Sequence, residues 1–169
     1  MKANRILIPL DGSEVAEAAL APALDMARPG SSLLILMRAA VARTLPGTDA
    51  IDAQVLAVRE AEEYLAGVQK RLEKDGGRVE SHVWYGPPAP AIVEAAKAQK
   101  VDVIVMSSHG RSGIGRIVFG SVAESVLRGT RVPIFLVRPS GAPVELPAGQ
   151  DDARPAGKTP PTTKTEAVR

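Results

Sequence analysis

The sequence predicts an α/β protein built on a five-stranded, mostly parallel, doubly wound sheet with helices on both faces. Three observations carry this. Five short apolar runs are spaced along the chain, and four of them are near-continuous rather than alternating, the pattern of strands buried on both faces. Segments with apolar residues at helical spacing separate these runs, which calls for right-handed crossovers and parallel pairing. The 169 residues are 45% hydrophobic but only 3% aromatic, an aliphatic composition suited to helices packed on such a sheet.

The elements follow in order. The first strand is expected at Arg5–Leu10 (RILIPL), and a helix over Ser13–Arg28 carries Val15, Ala18, Ala19, Leu20 and Leu24, with Ser13 as its N-cap. The second strand is Ser32–Ala40 (SLLILMRAA), followed by a longer loop, Val41–Ile51, placed to cover a site at the carboxyl edge of the sheet. The next helix, Asp52–Lys74, sets Val55, Val58, Ala61, Leu65, Val68 and Leu72 on one stripe and REAEE on the other face. The third strand, Arg78–Tyr85, alternates and is the weakest of the five; the helix Pro88–Gln99 opens on prolines suited to a first turn and carries Ile92, Val93 and Ala96. The fourth strand spans Val101–Ser107. The last helix, Ser121–Arg128, carries Val122, Val126 and Leu127 and stops near Gly129, a natural C-cap, before the closing strand Pro133–Arg138.

From Pro139 onward the composition changes. Six of the fourteen prolines fall there, aromatic residues are absent, and four acidic charges offset four basic ones. Such a segment buries too little apolar surface to offset its ordering entropy. The organisation expected is one folded domain over residues 1–139 and a disordered Pro-rich tail over residues 140–169.

Composition also excludes several classes. No cysteine is present, so disulfides and thiol chemistry are ruled out. No apolar stretch is long enough to span a bilayer, and MKANRILIPLDGSE does not read as a secretory signal, so a cytoplasmic protein with no membrane partner is expected. A net charge of +2, with no long basic block and no aromatic ladder, argues against a nucleic-acid partner. His82 and His109 are the only histidines, which leaves no triad logic and no metal cluster, so neither catalytic nor metal-binding residues are assigned.

Two segments gather candidate chemistry. SSHGRSGIGRIVFGS, Ser107 to Ser121, holds four glycines between a strand and a helix. Gly110, Gly113 and Gly115 let the backbone turn and present N–H groups, and Gly120-Ser121 stands where the last helix begins, a place that favours an anion. Arg111 and Arg116 add positive charge. Neither GxxxxGK[ST] nor GxGxxG is present, so the pattern is a different kind of phosphate grip. PLDGS, Pro9 to Ser13, supplies the second kind of contact: Asp11 accepts from an exocyclic amine or hydroxyl, and Pro9 offers an apolar edge to a flat ring. Asp11-Gly12-Ser13 reads equally well as a simple turn and helix cap.

ILIPLDGSE together with VIVMSSHGRSGIGRIVFGSVAESVLRGTRVPIFLVRP resembles the universal stress protein family, over Arg5 to Pro139. The family motif runs glycine, two residues, glycine, nine residues, then Gly-Ser or Gly-Thr. Gly110, RSGIGRIVF and Gly120-Ser121 match its second half, while Ser107 stands in place of its first glycine. The resemblance implies a Rossmann-like, adenine nucleotide alpha hydrolase-like fold that binds ATP, with magnesium as a companion ion and AMP or ADP as alternatives. It implies that Pro9 and Asp11 lie against the base with Ala39 lining the pocket, that Met106, Ser107 and Gly110 face ribose and phosphate, and that Gly120, Ser121 and Val122 hold the phosphates. Arg111 to Arg116, including Gly113, form the flap between. It further implies a stress-response regulator and a homodimer through the last strand, Val132–Arg138, whose apolar edge gains from pairing. Two alternatives stand beside it: a member of the fold that binds no nucleotide and acts through protein contacts, and a slow ATPase.

Overall fold

Strands that are apolar on both sides need cover on both sides, and the alternation of elements supplies it. The computed structural model describes residues 2–42, 49–108 and 120–138. Its strands are β1 (Arg5–Pro9), β2 (Leu33–Ala40), β3 (Arg78–Tyr85), β4 (Val103–Ser107) and β5 (Ile134–Val137), and its helices are α1 (Glu14–Glu17), α2 (Leu20–Met26), α3 (Ala50–Lys74), α4 (Pro88–Ala98) and α5 (Ser121–Gly129). The strands form one sheet in the order β3-β2-β1-β4-β5, with every neighbouring pair parallel. The predicted doubly wound fold is therefore the observed one.

Odd and even residues of the central strands feed two separate cores. Ile6, Ile8, Leu34, Leu36, Val103 and Val105 pack under α1, α2 and α3, together with Leu65, Val68 and Leu72. Leu7, Ile35, Met37, Ile104 and Met106 pack against Ala91, Ile92, Ala95 and Ala96 of α4 and Ala123 and Val126 of α5. The weakly patterned third strand is an edge strand, with Val79 and Val83 turned to the first core and Trp84 to the second. β5 forms the opposite edge.

Four expectations are corrected in detail. The single helix over Ser13–Arg28 is two, because Pro22 has no N–H to give the carbonyl of Ala18 and its ring crowds that carbonyl. A turn at Ala18–Ala19 separates them and leaves Pro22 in the first turn of α2, where a missing donor costs nothing. The next helix begins at Ala50 rather than Asp52, capped by the Asp49 carboxylate, which accepts from the Ile51 N–H at 2.7 Å. Its stripe is buried only from Ala61 onward. Ile51, Val55 and Leu56 are exposed because 25 residues of helix, at about 1.5 Å per residue, outrun the strands beneath and project past the carboxyl edge of the sheet. Gly129 lies in the last turn of α5 rather than capping it; Thr130 is the cap, and Val93 Cγ2 would lie 3.0 Å from a Cβ on residue 129. Most of the Val41–Ile51 loop and the predicted tail over residues 140–169 lie outside the described residues.

Candidate functional site

A crevice opens where strand order reverses. β1 and β4 are neighbours, yet the chain leaves β1 across one face of the sheet and β4 across the other, so their carboxyl ends part. At the exit of β1, Pro9 is buried and the Leu10 N–H donates to the Met37 carbonyl at 2.8 Å. Gly12 follows at φ +86°, a conformation that glycine alone adopts cheaply. The turn it permits brings Ser13 back onto Asp11. Asp11 Oδ1 accepts from the Ser13 N–H at 2.9 Å and from its hydroxyl at 2.6 Å, and Ser13 Oγ in turn accepts from the Ala16 N–H at 3.2 Å, capping α1. The turn-and-cap reading of this segment is thus realised, and it fixes where the Asp11 carboxylate stands. Because α1 touches β4, that carboxylate is held beside the crevice.

At the exit of β4, Met106, Ser107 and Ser108 are all buried. The Ser108 N–H donates to the Val137 carbonyl at 2.8 Å, and its own carbonyl accepts from the Gly120 N–H at 2.7 Å. Those two bonds tie the start of α5 to the end of β4 through backbone alone. Gly120 is the N-cap residue and no side chain caps the helix, so the N–H groups of Ser121, Val122 and Ala123 lack intrahelical acceptors and face the positive end of the helix dipole outward. Strand alternation sets Ser107 on the same face as Val103 and Val105, the face covered by α1 and α2.

Ala39 sits on β2 opposite Trp84 of β3, half-buried on the α4 side, two residues beyond the carbonyl that receives the Leu10 N–H. Pro9, Asp11, Met106, Ser107, Gly120, Ser121 and Val122 thus gather at the carboxyl edge around β1 and β4, with Ala39 on the adjoining strand. Gly110, Arg111, Gly113 and Arg116 lie outside the described residues. Among the described residues, no three His, Asp or Glu side chains converge to hold a metal ion, and no helix is long and apolar enough to cross a membrane.

A polar cluster beside this edge escaped the sequence analysis. The Tyr64 hydroxyl of α3 donates to Glu17 Oε1 at 2.9 Å, and Arg71 Nη2 reaches Glu17 Oε2 at 2.6 Å. The Arg38 guanidinium lies 5.1 Å from the centroid of the Tyr64 ring. Burial first, then the hydrogen bond and charge of Glu17 and the charge of Asp11, push the Tyr64 hydroxyl well above the ordinary tyrosine range, against the opposing pull of Arg38. The signal in the sequence was Tyr64 itself, a lone aromatic three residues after Ala61 and four before Val68 on the buried stripe.

Comparison with known proteins identifies the family and the fold. A family model described as the universal stress protein family matches residues 2–138. A universal stress protein of Methanocaldococcus jannaschii is 32% identical over 139 residues, covering 80% of this chain and 82% of the relative. One from Mycobacterium tuberculosis is 35% identical over 139 residues; there the match takes in 80% of this chain and 45% of the relative. Among solved structures, a Methanocaldococcus jannaschii protein determined as a test case of structural genomics superposes with a TM-score of 0.75 at 28% identity, covering 82% of this chain and 98% of the other. Two more distant structures share the fold: a universal stress protein in complex with cAMP (TM-score 0.63, 23% identity, 81% and 98% covered) and an Arabidopsis thaliana family member with AMP bound (0.61, 13%, 82% and 93%).

Proposed function

The chain belongs to the universal stress protein family, and on that premise we propose that it binds an adenine nucleotide at the carboxyl edge of its sheet and acts as a stress-response regulator through that binding. The observation that carries the reading is the junction of two supports at one crevice: the Asp11 turn on β1 and the uncapped start of α5, tied to β4 by the Ser108–Gly120 bond at 2.7 Å. A carboxylate at one end suits an amine or hydroxyl donor, and free helix N–H groups at the other suit phosphate oxygens. The distance between such groups in a nucleotide is bridged by ribose.

In this reading Pro9, Asp11 and Ala39 meet the base, Met106, Ser107 and Gly110 meet the ribose side, and Gly120, Ser121 and Val122 receive the phosphates. Arg111, Gly113 and Arg116 form the flap. ATP is the leading ligand, with AMP and ADP behind it, and magnesium arrives with the phosphates. That the same fold holds cAMP in one relative and AMP in another supports the ligand class. The domain spans residues 1–139, the protein works in the cytoplasm, and it pairs through Val132–Arg138, a reading supported by the edge position of β5 and the exposed Phe135.

Isothermal titration with Mg-ATP at high protein concentration tests the central claim, with mass spectrometry of any co-purifying small molecule as a companion. Saturable heat at one site per chain is the expected outcome. An absence of heat, with nothing co-purifying, sinks the reading and leaves a member of the fold that works through protein contacts.

A further inference from the structure

Helix α1 is four residues long, far too short to hold its own shape in water. The break before Pro22 denies it continuity with α2. Yet its first cap, Ser13, is the residue that holds Asp11, so whatever steadies α1 steadies Asp11. Ala16 anchors the middle of the helix in the core. Its end is held from outside: Glu17 receives the Tyr64 hydroxyl on one oxygen and Arg71 on the other.

We propose that Tyr64 and Arg71 of α3 are positioning residues for Asp11: by gripping Glu17 they fix α1, and through Ser13 they fix the carboxylate that meets the base. The inference rests on the nucleotide reading above and deepens it by naming the device that sets affinity at the base end. Tyr64 is itself well placed to act as a fixed post. Its ring packs against the core beneath α1 and α3, and Arg38 of β2 lies over its face while reaching the Glu60 carbonyl at 3.4 Å. A tyrosine half-sunk in an aliphatic face is retained at a cost unless its hydroxyl is bonded, and here the bond goes to the one short helix that needs a tether. Asp11 lies near enough for its charge to be felt at Tyr64. The phosphate end is supported independently, by the backbone bonds of Ser108 to Val137 and Gly120, with no member of the Tyr64 cluster involved.

That separation makes the test. Tyr64→Phe keeps the ring and removes only the bond to Glu17, and Arg71→Met removes the second grip. Removing a hydrogen bond to a charged group should weaken ATP binding roughly fivefold in Tyr64→Phe, and the more exposed Arg71 pair roughly twofold. In the full-length protein, isothermal titration of ATP should show the Tyr64→Phe effect vanish in an Asp11→Ala background but add in full to Gly120→Ala. A merely structural role would act alike on both backgrounds. Amide hydrogen exchange on the free protein reads the same device without ligand: the Ala16 amide, bonded to Ser13, should lose protection in Tyr64→Phe. Wild-type ATP affinity in Tyr64→Phe, an effect that persists beside Asp11→Ala, or unchanged Ala16 protection overturns the proposal. If the parent binds no ATP, the nucleotide reading falls while the Ala16 amide still decides the clamp, upheld by lost protection and overturned by unchanged protection.

Discussion

Replacing Gly120 by alanine separates what a ligand needs from what folding needs. Gly120 caps α5 at φ −67° and ψ 150°, extended backbone open to any residue, so the fold has no conformational use for glycine there. On the stability side two small effects oppose each other. Alanine is the poorer N-cap by roughly 0.5–1 kcal/mol. It also restricts the unfolded chain, returning about 0.4–1 kcal/mol. The midpoint of urea unfolding should therefore hardly move. Binding is another matter. On the proposed reading, phosphate oxygens accept charge-assisted bonds from the N–H groups at the start of α5, and a side chain added at residue 120, directly before those groups, is expected to disturb their approach. Losing one such bond costs about 1.5–3 kcal/mol. At about 1.4 kcal/mol per decade that is a ten- to hundredfold rise in Kd. Titration of Mg-ATP and urea unfolding on the same preparations of parent and variant measure both quantities. An unchanged Kd at unchanged stability refutes a phosphate at this helix start. A stability loss of about 2 kcal/mol or more refutes the other half of the reasoning, since glycine would then be serving the fold.

Other outcomes follow from the same structure. Leu36→Ala, at a fully buried position in the core under α3, should cost about 2–5 kcal/mol in urea unfolding, and a smaller loss would mean that the core collapses around the gap. Tyr64 keeps its proton in the fold above its ordinary value of 10.0. Its contribution to stability is therefore complete below pH 10 and is lost as pH rises beyond that, where the unfolded chain sheds the proton and the folded chain does not. Stability should fall there by about 1.4 kcal/mol per pH unit more steeply in the parent than in Tyr64→Phe, and parallel curves in alkaline urea titrations would contradict this. Phe135→Lys, on the exposed side of edge strand β5, should convert a dimer to a folded monomer by light scattering; a parent that is already monomeric ends the pairing reading.

How much was legible depends on which physical signal each element left in the sequence. The near-continuous runs around Leu7, Ile35 and Ile104 could only be strands buried on both faces, and the sheet with its parallel order followed from them. The helix stripe through Ala61, Leu65, Val68 and Leu72 was equally plain, but its start was not, because periodicity is blind to where the sheet beneath ends; Val55 matches the stripe and still faces solvent. Pro22 was readable and outweighed the apolar spacing around it, which is the general risk when pattern is weighed before backbone chemistry. Of the candidate site, the Asp11 turn was legible in local sequence and is realised, whereas residues 109–119 of the glycine motif lie outside the described residues. The Tyr64–Glu17 bond was not legible, since its partners lie 47 positions apart and meet only because α1 and α3 pack on the same face of the sheet.

The two ends of the crevice are consequently built from different materials, and this explains why they differ in what sequence they demand. The proposed phosphate end is backbone: the Ser108 carbonyl and N–H, the Gly120 N–H and the first turn of α5. Backbone groups are common to every residue, so this end constrains size rather than chemistry. The proposed base end is a relay of side chains, from Asp11 to Ser13, and then across α1 from Glu17 to Tyr64 and Arg71. Each member acts through its particular donor or acceptor. Ser107, at the end of β4, is buried on the face of Val103 and Val105, turned toward α1 and α2, while its backbone keeps its pairing to Val137.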